Sequence, residues 1–268
     1  MERWFLLDGR PAAGALNMAL DELLLARAEA SPTNPVLRLY SFDNPTLTLG
    51  FHQNPERTID IEAARRGSID VVRRFTGGRA LLHVGELTYC VAARTDREPF
   101  GEHLQGTFLR LSEALAGALR ILGVDAAVSA GRKGGGEGRL ARPCLDSVSR
   151  HEVTVHGRKI VASAQRRTNQ ALLQHGSILL DPTSASITEY LKGDWGSIRD
   201  RMTSVMEETG RRIPSAAVRE AVVEAFEREF NVSFEPLMLT VTELEELERR
   251  RASKRDESRM LCSREACA

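Results

Sequence analysis

Residues 71–91 read VVRRFTGGRALLHVGELTYCV, and this stretch decides what kind of fold can hold the chain. IDVVRRF (69–75) is an apolar run of strand length that ends on two arginines. Thr76-Gly77-Gly78-Arg79 breaks it, ALLH (80–83) follows, and LTYCVAA (87–93) is a further strand candidate, apolar enough to be buried. A strand closing on Arg73, Arg74 and a Gly-Gly turn presents cations and backbone N–H groups to one space. Glycine has no Cβ, so a ligand can approach the backbone closely. Such a loop suits a carboxylate, a phosphate or a polarised carbonyl. Taken alone, it reads equally well as a tight turn flanked by surface arginines.

Outward from this stretch, helix and strand patterns alternate without a long linker or a repeat. RWFLLD (3–8) is a short strand candidate. Asn17 to Ala30 places Met18, Leu20, Leu23, Leu24 and Leu25 in a helical pattern, with Asp21 and Glu22 towards its start. VLRLYSF (36–42) and TLTLGF (46–51), split by Asp43-Asn44-Pro45, predict strand, turn, strand. Residues 103–122 carry Phe108, Leu111, Leu115, Leu119 and Leu122 three or four apart, the mark of an amphipathic helix. Gly131 to Arg142 (GRKGGGEGRLAR) cannot bury a face, and a mobile loop is expected there. EVTVHGRKIVASAQRR (152–167) and ALLQHGSILLD (171–181) read as consecutive strands with a turn at His156-Gly157. From Ser184 the chain reads as mostly helical, including Ala216–Phe230 and Val241–Arg251, with the last dozen residues frayed. The expectation is a single α+β domain over 1–268, with a mixed β-sheet core flanked by helices and a short helical C-terminal segment from about 184 to 268.

The totals narrow the function classes. A length of 268 residues allows one large α/β domain, and 42% hydrophobic with 28% charged residues is ordinary for a soluble globular protein. Lys+Arg and Asp+Glu both number 37, so the basic excess usual in a nucleic-acid binder is missing. MERWFLLDGRPAAG lacks the basic leader and apolar core of a signal peptide, and no run of 18 apolar residues suggests a membrane span. Four cysteines without a CxxC pair, and six histidines in no ligand spacing with them, predict neither a disulfide scaffold nor structural zinc. A cytoplasmic protein without a bound metal or cofactor is expected.

Two further residues carry possible chemistry. Lys159 stands in the apolar and small-residue strand KIVASA, where it must pair with a carboxylate, line a cavity, or sit solvated at the strand entrance. Cys144, in Arg142-Pro143-Cys144-Leu145-Asp146, follows the Gly-rich stretch and precedes no obvious core run. A lone cysteine is more often a small core hydrophobe than a nucleophile. No GxxxxGK[ST] phosphate loop and no GxSxG elbow is present.

Taken together, LNMALDE (16–22), LRLYSFDNPTLTLGFHQNPE (37–56), VVRRFTGGRALLHVGELTYCV (71–91), GRKIVASAQRR (157–167) and LLQHGSILLD (172–181) resemble the biotin/lipoate protein ligase and octanoyltransferase superfamily. The matching stretches keep the family's order and cover about the first two-thirds of the chain. CLDSVSRHEVTVHGRK is similar to the cysteine-dependent octanoyl-[acyl carrier protein]:protein octanoyltransferases, whereas ATP-dependent lipoate ligases typically have a third glycine where this chain has Arg79. Leu145 departs from the pattern, since an aromatic residue often follows the cysteine.

The resemblance implies Cys144 as acyl-accepting nucleophile and Lys159 as the cation beside the acyl carbonyl. Around them it implies substrate-binding positions at Arg73, Arg74, Thr76, Gly77, Gly78, Arg79, His83, Ser163, Ala164, Gln165, His175 and Gly176. The implied donor is octanoyl-acyl carrier protein. The implied acceptor is a lipoyl-domain protein, either the glycine-cleavage H protein or a 2-oxoacid dehydrogenase subunit. Competing implications are an ATP-dependent lipoate ligase, an amidotransferase between two lipoyl domains, and a non-catalytic acyl sensor.

Overall fold

The computed structural model describes residues 1–30, 32–101, 104–130, 151–193 and 198–263. The Gly131–Arg142 stretch and Cys144 lie outside the described residues. In chain order the N-terminal part runs β1 (Glu2–Asp8), α1 (Gly14–Ala30), β2 (Val36–Tyr40), β3 (Thr46–Leu49), α2 (Pro55–Thr58), α3 (Ile61–Arg66), β4 (Asp70–Arg73), β5 (Leu81–His83), β6 (Glu86–Arg94) and α4 (Leu104–Ile121). It continues with β7 (Ala127–Val128), β8 (Val153–Val155), β9 (Arg158–Lys159), β10 (Val161–Arg167), β11 (Ala171–Leu179), α5 (Val205–Thr209), α6 (Ser215–Phe230), β12 (Val232–Pro236) and α7 (Val241–Ser263). Two 3-10 segments, Pro182–Tyr190 and Ile198–Arg201, join β11 to α5.

A six-stranded mixed sheet, in the order β10-β11-β6-β2-β1-β12, forms the frame. β10, β11, β6 and β2 pair antiparallel, and β2, β1 and β12 pair parallel. One face takes α4 and α6. There Leu37, Leu39, Val91 and Leu172 meet Leu111, Leu115, Leu119, Val222 and Phe226 in an apolar layer. Each such side chain contributes about 1.5–3 kcal/mol by leaving water. Alternate residues of the same strands, including Val36, Arg38, Tyr40, Cys90 and His175, are buried away from that layer. α1 packs against β6, β11 and β4, and it brings Leu24, Leu25 and Ala28 to Val36, Tyr40 and Cys90.

The three-stranded sheet β4-β3-β5 has its own core of Leu47, Leu49, Ile61, Val71 and Leu82, which also takes in Ala162 and Leu179. β2 and β3 therefore do not form the hairpin that strand, turn, strand suggests. After Pro45 the chain leaves the large sheet and pairs β3 parallel to β4 and antiparallel to β5. The turn at His156-Gly157 is present, with φ of 49° and 79°, and it joins β8 to β9 in a third small sheet.

The C-terminal part differs from its sequence reading at two places. β12 pairs with β1 in register Trp4↔Phe234, a strand too short and too charged to stand out between two helices. α7 runs to Ser263, beyond the frayed end expected, along α1 and over β4. Its apolar contact is small, Leu247 against Ala19 and Leu23 of α1, and ion pairs with Arg27, Glu22 and Arg73 add to it. Among the described residues, no helix is long and apolar enough to cross a membrane.

Candidate active site

A cleft of about 330 Å³, part of it open to solvent, lies between the large sheet and the β4-β3-β5 sheet. Met18, Leu81, Ala162 and Ala164 supply apolar wall, while Arg74, His83, Ser163, His175, Gly176 and Ser177 bring polar atoms or bare backbone to it. A narrow, mostly apolar slot with a few fixed polar groups is the form of a small-ligand site. Among the described residues, no cluster of three or more His, Cys, Asp or Glu side chains could hold a metal ion.

The Gly-Gly loop sits beside the cleft, with Gly78 next to Arg74 and Ala164 of its lining. Gly78 has φ of 89°, a conformation that favours glycine. A Cβ on the facing Gly50 would stand 2.1 Å from the Gly78 carbonyl oxygen, so the two turns touch through bare backbone. Phe51 N–H donates to Thr76 O at 2.9 Å and fastens them. Arg74, buried beneath the loop, donates to the carbonyls of Gly77 (3.0 Å) and Arg79 (2.6 Å), and to Thr48 O and Oγ1. Its guanidinium shapes the loop from below while also lining the cleft. Arg73 points elsewhere: Nη1 donates to the carbonyls of Gly50, Phe51 and Gln53, and Nε faces Glu257 at 3.2 Å.

Two carboxylate–imidazole–threonine chains run along the cleft wall. In the first, Asp21 Oδ2 lies 2.7 Å from His175 Nδ1, and His175 Nε2 lies 2.7 Å from Thr76 Oγ1. Asp21 Oδ1 also accepts from Arg38 Nη1 at 2.5 Å, and Tyr40 OH donates to Oδ2 at 2.8 Å. Burial alone would raise the Asp21 pKa, but the Arg38 guanidinium and the His175 and Tyr40 hydrogen bonds outweigh it and hold the carboxyl below its usual value. Burial lowers the His175 pKa despite Asp21 beside it. The pair therefore rests as carboxylate and neutral imidazole, with Nδ1–H donating to Asp21 and Nε2 accepting from Thr76. The second chain is Glu86–His83–Thr48, at 2.9 Å and 2.9 Å, with His83 stacked 4.2 Å from the Phe42 ring.

Other expected positions are distributed around this frame. Ser163 Oγ bonds Tyr89 OH at 2.8 Å, and burial pushes that phenol up to about 12. Gly176 leaves no room for a Cβ, which would meet Ala162 O at 2.4 Å. Gln165 donates to Gln174 Oε1 at 3.0 Å. Lys159 is 1% exposed and its Nζ donates to Glu152 Oε1 at 2.7 Å. It does not line the cleft among the described residues, so of the open sequence alternatives the structure displays carboxylate pairing. A variant at 159 thus perturbs the fold as well as any chemistry. Cys90 is fully buried, and burial pushes its thiol well up.

The sequence reading missed Asp21, Arg38, Tyr40 and Glu86. In sequence Asp21 reads as an acid towards a helix start, yet α1 begins at Gly14 and sets it two turns in, fully buried. The usable signal was a charge inside each of two apolar runs, MALDELLL and VLRLY, which cannot be buried without a partner.

The catalytic-domain model for lipoyl protein ligases A and B matches residues 13–227. The chain belongs to this family. Octanoyltransferase LipM of Moorella thermoacetica is 39% identical over 259 residues, covering 94% of this chain and 95% of its own. Octanoyltransferase LipM of Bacillus subtilis is 34% identical, covering 91% and 92%. Among solved structures, lipoate-protein ligase A bound with ATP superposes with a TM-score of 0.77 at 23% identity over 94% of this chain and 95% of its own. A bipartite lipoate protein ligase from Thermoplasma acidophilum gives 0.76 at 23%, covering 94% and 92%. At that identity the structural likeness establishes the fold: mixed sheets flanked by helices with a helical C-terminal segment, as this family of ligases has.

Proposed function

We propose that this chain is an octanoyltransferase of lipoate biosynthesis, working as one catalytic domain in the cytoplasm. It takes the octanoyl group from octanoyl-acyl carrier protein onto Cys144 and passes it to the lipoyl-domain lysine of an H protein or a 2-oxoacid dehydrogenase subunit. The observation that carries this reading is the match to octanoyltransferases above 30% identity over more than nine-tenths of the chain. The cleft agrees with it. Six methylenes buried against Met18, Leu81 and Ala162 at about 0.8 kcal/mol each give enough binding for chain length to matter.

The chemistry balances without ATP, because a thioester is already an activated acyl group. The Cys144 thiolate attacks the donor carbonyl, a new C–S bond forms, and the phosphopantetheine thiolate leaves and takes a proton. The acceptor's neutral amine then attacks the Cys144 thioester, the amide C–N bond forms as the C–S bond breaks, the amine nitrogen gives up one proton to solvent, and the Cys144 thiolate is released. Lys159, which Glu152 holds outside the described lining of the cleft, is the cation we assign to the oxyanion in both steps, formed where the thioester on Cys144 meets it. Arg74, Thr76, Gly77, Gly78 and Arg79 shape the carbonyl end of the cleft, His83, Ser163, Ala164, His175 and Gly176 form its walls, and Gln165, held by Gln174, stands next along β10.

Mixing the protein with octanoyl-acyl carrier protein, without acceptor or ATP, should leave one hydroxylamine-labile octanoyl group that peptide mapping places at residue 144. Cys144→Ser should abolish most transfer, since an alkoxide is far harder to form at neutral pH than a thiolate. Cys90 cannot substitute, being buried with its thiol pushed up. Acylation at another residue would overturn the thioester step, and acceptor modification only with free octanoate and ATP would make the chain a ligase.

A further inference from the structure

We infer that the C-terminal helix α7 takes part in the reaction as an electrostatic strap, with Lys254 and Glu257 as positioning residues for the rim of the acyl cleft. The inference rests on reading that rim as the donor's entrance. Glu257 Oε1 faces Arg73 Nε at 3.2 Å, and Lys254 Nζ donates to the Arg73 carbonyl at 3.2 Å. Lys254 is itself fixed by Glu22 of α1 at 2.7 Å and by Glu257 at 3.3 Å. α7 therefore grips the last residue of β4 by its side chain and by its backbone.

Arg73 transmits that grip. Its Nη1 donates to the carbonyls of Gly50, Phe51 and Gln53 at 3.1, 3.0 and 2.8 Å, so one guanidinium gathers a whole turn. That turn rests on the Gly-Gly loop, with Gly50 against the Gly78 carbonyl and Phe51 N–H on Thr76 O. Without Glu257, the Arg73 fork keeps its bonds to the turn but loses the tie that fixes it to α7. The turn and the loop then lose a common reference. The four side chains of the strap are partly buried, at 12% to 31% exposure, and they lie beyond the Leu247 contact that seats α7 on α1, so the grip on β4 itself is one of charge and geometry. This also gives a reason for a 23-residue, mostly polar helix to run past its Leu247 contact with α1 and over β4.

The full chain is compared with Glu257→Gln, Lys254→Met and the control Glu248→Gln, whose carboxylate is exposed and pairs with Arg251 on the same helix. Amide hydrogen exchange is read without any substrate. The strap predicts exchange about tenfold faster in segments 50–53 and 76–79 in the first two variants, and unchanged in the control. With octanoyl-acyl carrier protein, KM should rise about tenfold while kcat stays within about twofold, as when uniform binding is lost. Unaltered exchange at those segments would overturn the inference. So would exchange that rises evenly across the molecule together with a fall in Tm, for α7 would then be ordinary scaffold. Should the wild-type chain transfer no octanoyl group, the functional reading fails, and the exchange comparison still decides whether the strap exists.

Discussion

The two faces of the six-stranded sheet are made by alternate residues of the same strands, yet they obey opposite rules. Towards α4 and α6 the strands present Leu37, Leu39, Val91 and Leu172, and the layer is stabilised by area removed from water. Towards α1 and the cleft they present Arg38, Tyr40 and His175, which tolerate burial only because Asp21 and Thr76 complete them. A missing methyl on the first face leaves a void. A missing proton or oxygen on the second leaves an orphaned charge or acceptor. The apolar face can drift through many sequences, while the polar face works as one unit with the loop it supports.

The sharpest way to break this contrast is to remove one charge and one leucine. Asp21→Asn leaves Arg38 buried without its counter-charge and should cost about 3–5 kcal/mol in urea unfolding. Leu115→Ala, fully buried in α4, should cost about 2–5 kcal/mol through transfer and cavity terms. Pairing them tests the kind of loss as well as its size. The leucine variant should shift stability equally at every pH, and the Asp21 variant should change the shape of the curve. Parallel curves for the two variants would refute the distinction between the faces.

That shape follows from His175 and Asp21. The folded state lowers the His175 pKa below its ordinary 6.5, so in acid the unfolded chain binds this proton more readily. Stability from this group is complete above about pH 6.5 and declines as pH falls through the lowered folded value. Asp21, held below its ordinary 3.8, adds the same sign of loss further down, beneath about pH 4. Urea midpoints measured from pH 8 to pH 3 should fall in that order. His175→Gln should flatten the upper part of the decline, and an unchanged slope between pH 6.5 and 5 in that variant would remove His175 from the account.

Much of this arrangement was readable in the sequence, and what was not has physical causes. The apolar run LTYCVAA, and the apolar ends of ALLQHGSILL, announce β6 and β11, because strands covered on both faces leave little choice of residue. The separation of β2 from β3 was invisible, since a turn at Asp43-Asn44-Pro45 specifies a change of direction and says nothing about pairing partners. For the site, the Arg-Arg-Phe-Thr-Gly-Gly stretch could be found as a loop that approaches a ligand. The division of labour between Arg73 and Arg74 could not, because neighbours on one strand point to opposite faces and only the surroundings say which face is the cleft. Asp21 and Glu86 come from α1 and from the start of β6, far along the chain from the histidine and loop they serve or beside a turn that hides them. No local pattern connects residues 154 positions apart, as Asp21 and His175 are.

The smallest expected effect is the most specific. Thr76→Val keeps the volume of the side chain and removes the hydroxyl proton that His175 Nε2 accepts at 2.7 Å. A buried acceptor left without its donor should cost about 1–3 kcal/mol, less than the Asp21 charge and of the opposite kind to a cavity. Thr76→Ser keeps the hydroxyl and should restore most of that loss, although it deletes a methyl group from a fully buried position. Imidazole ¹⁵N shifts would follow the ring itself. They should report Nδ1–H in all three proteins, because Asp21 accepts that proton whichever residue stands at 76. If valine proved as stable as threonine while serine was worse, methyl packing alone would account for the site. The carboxylate–imidazole–threonine chain would then be a geometric coincidence, and the cleft face would follow the rules of the apolar one.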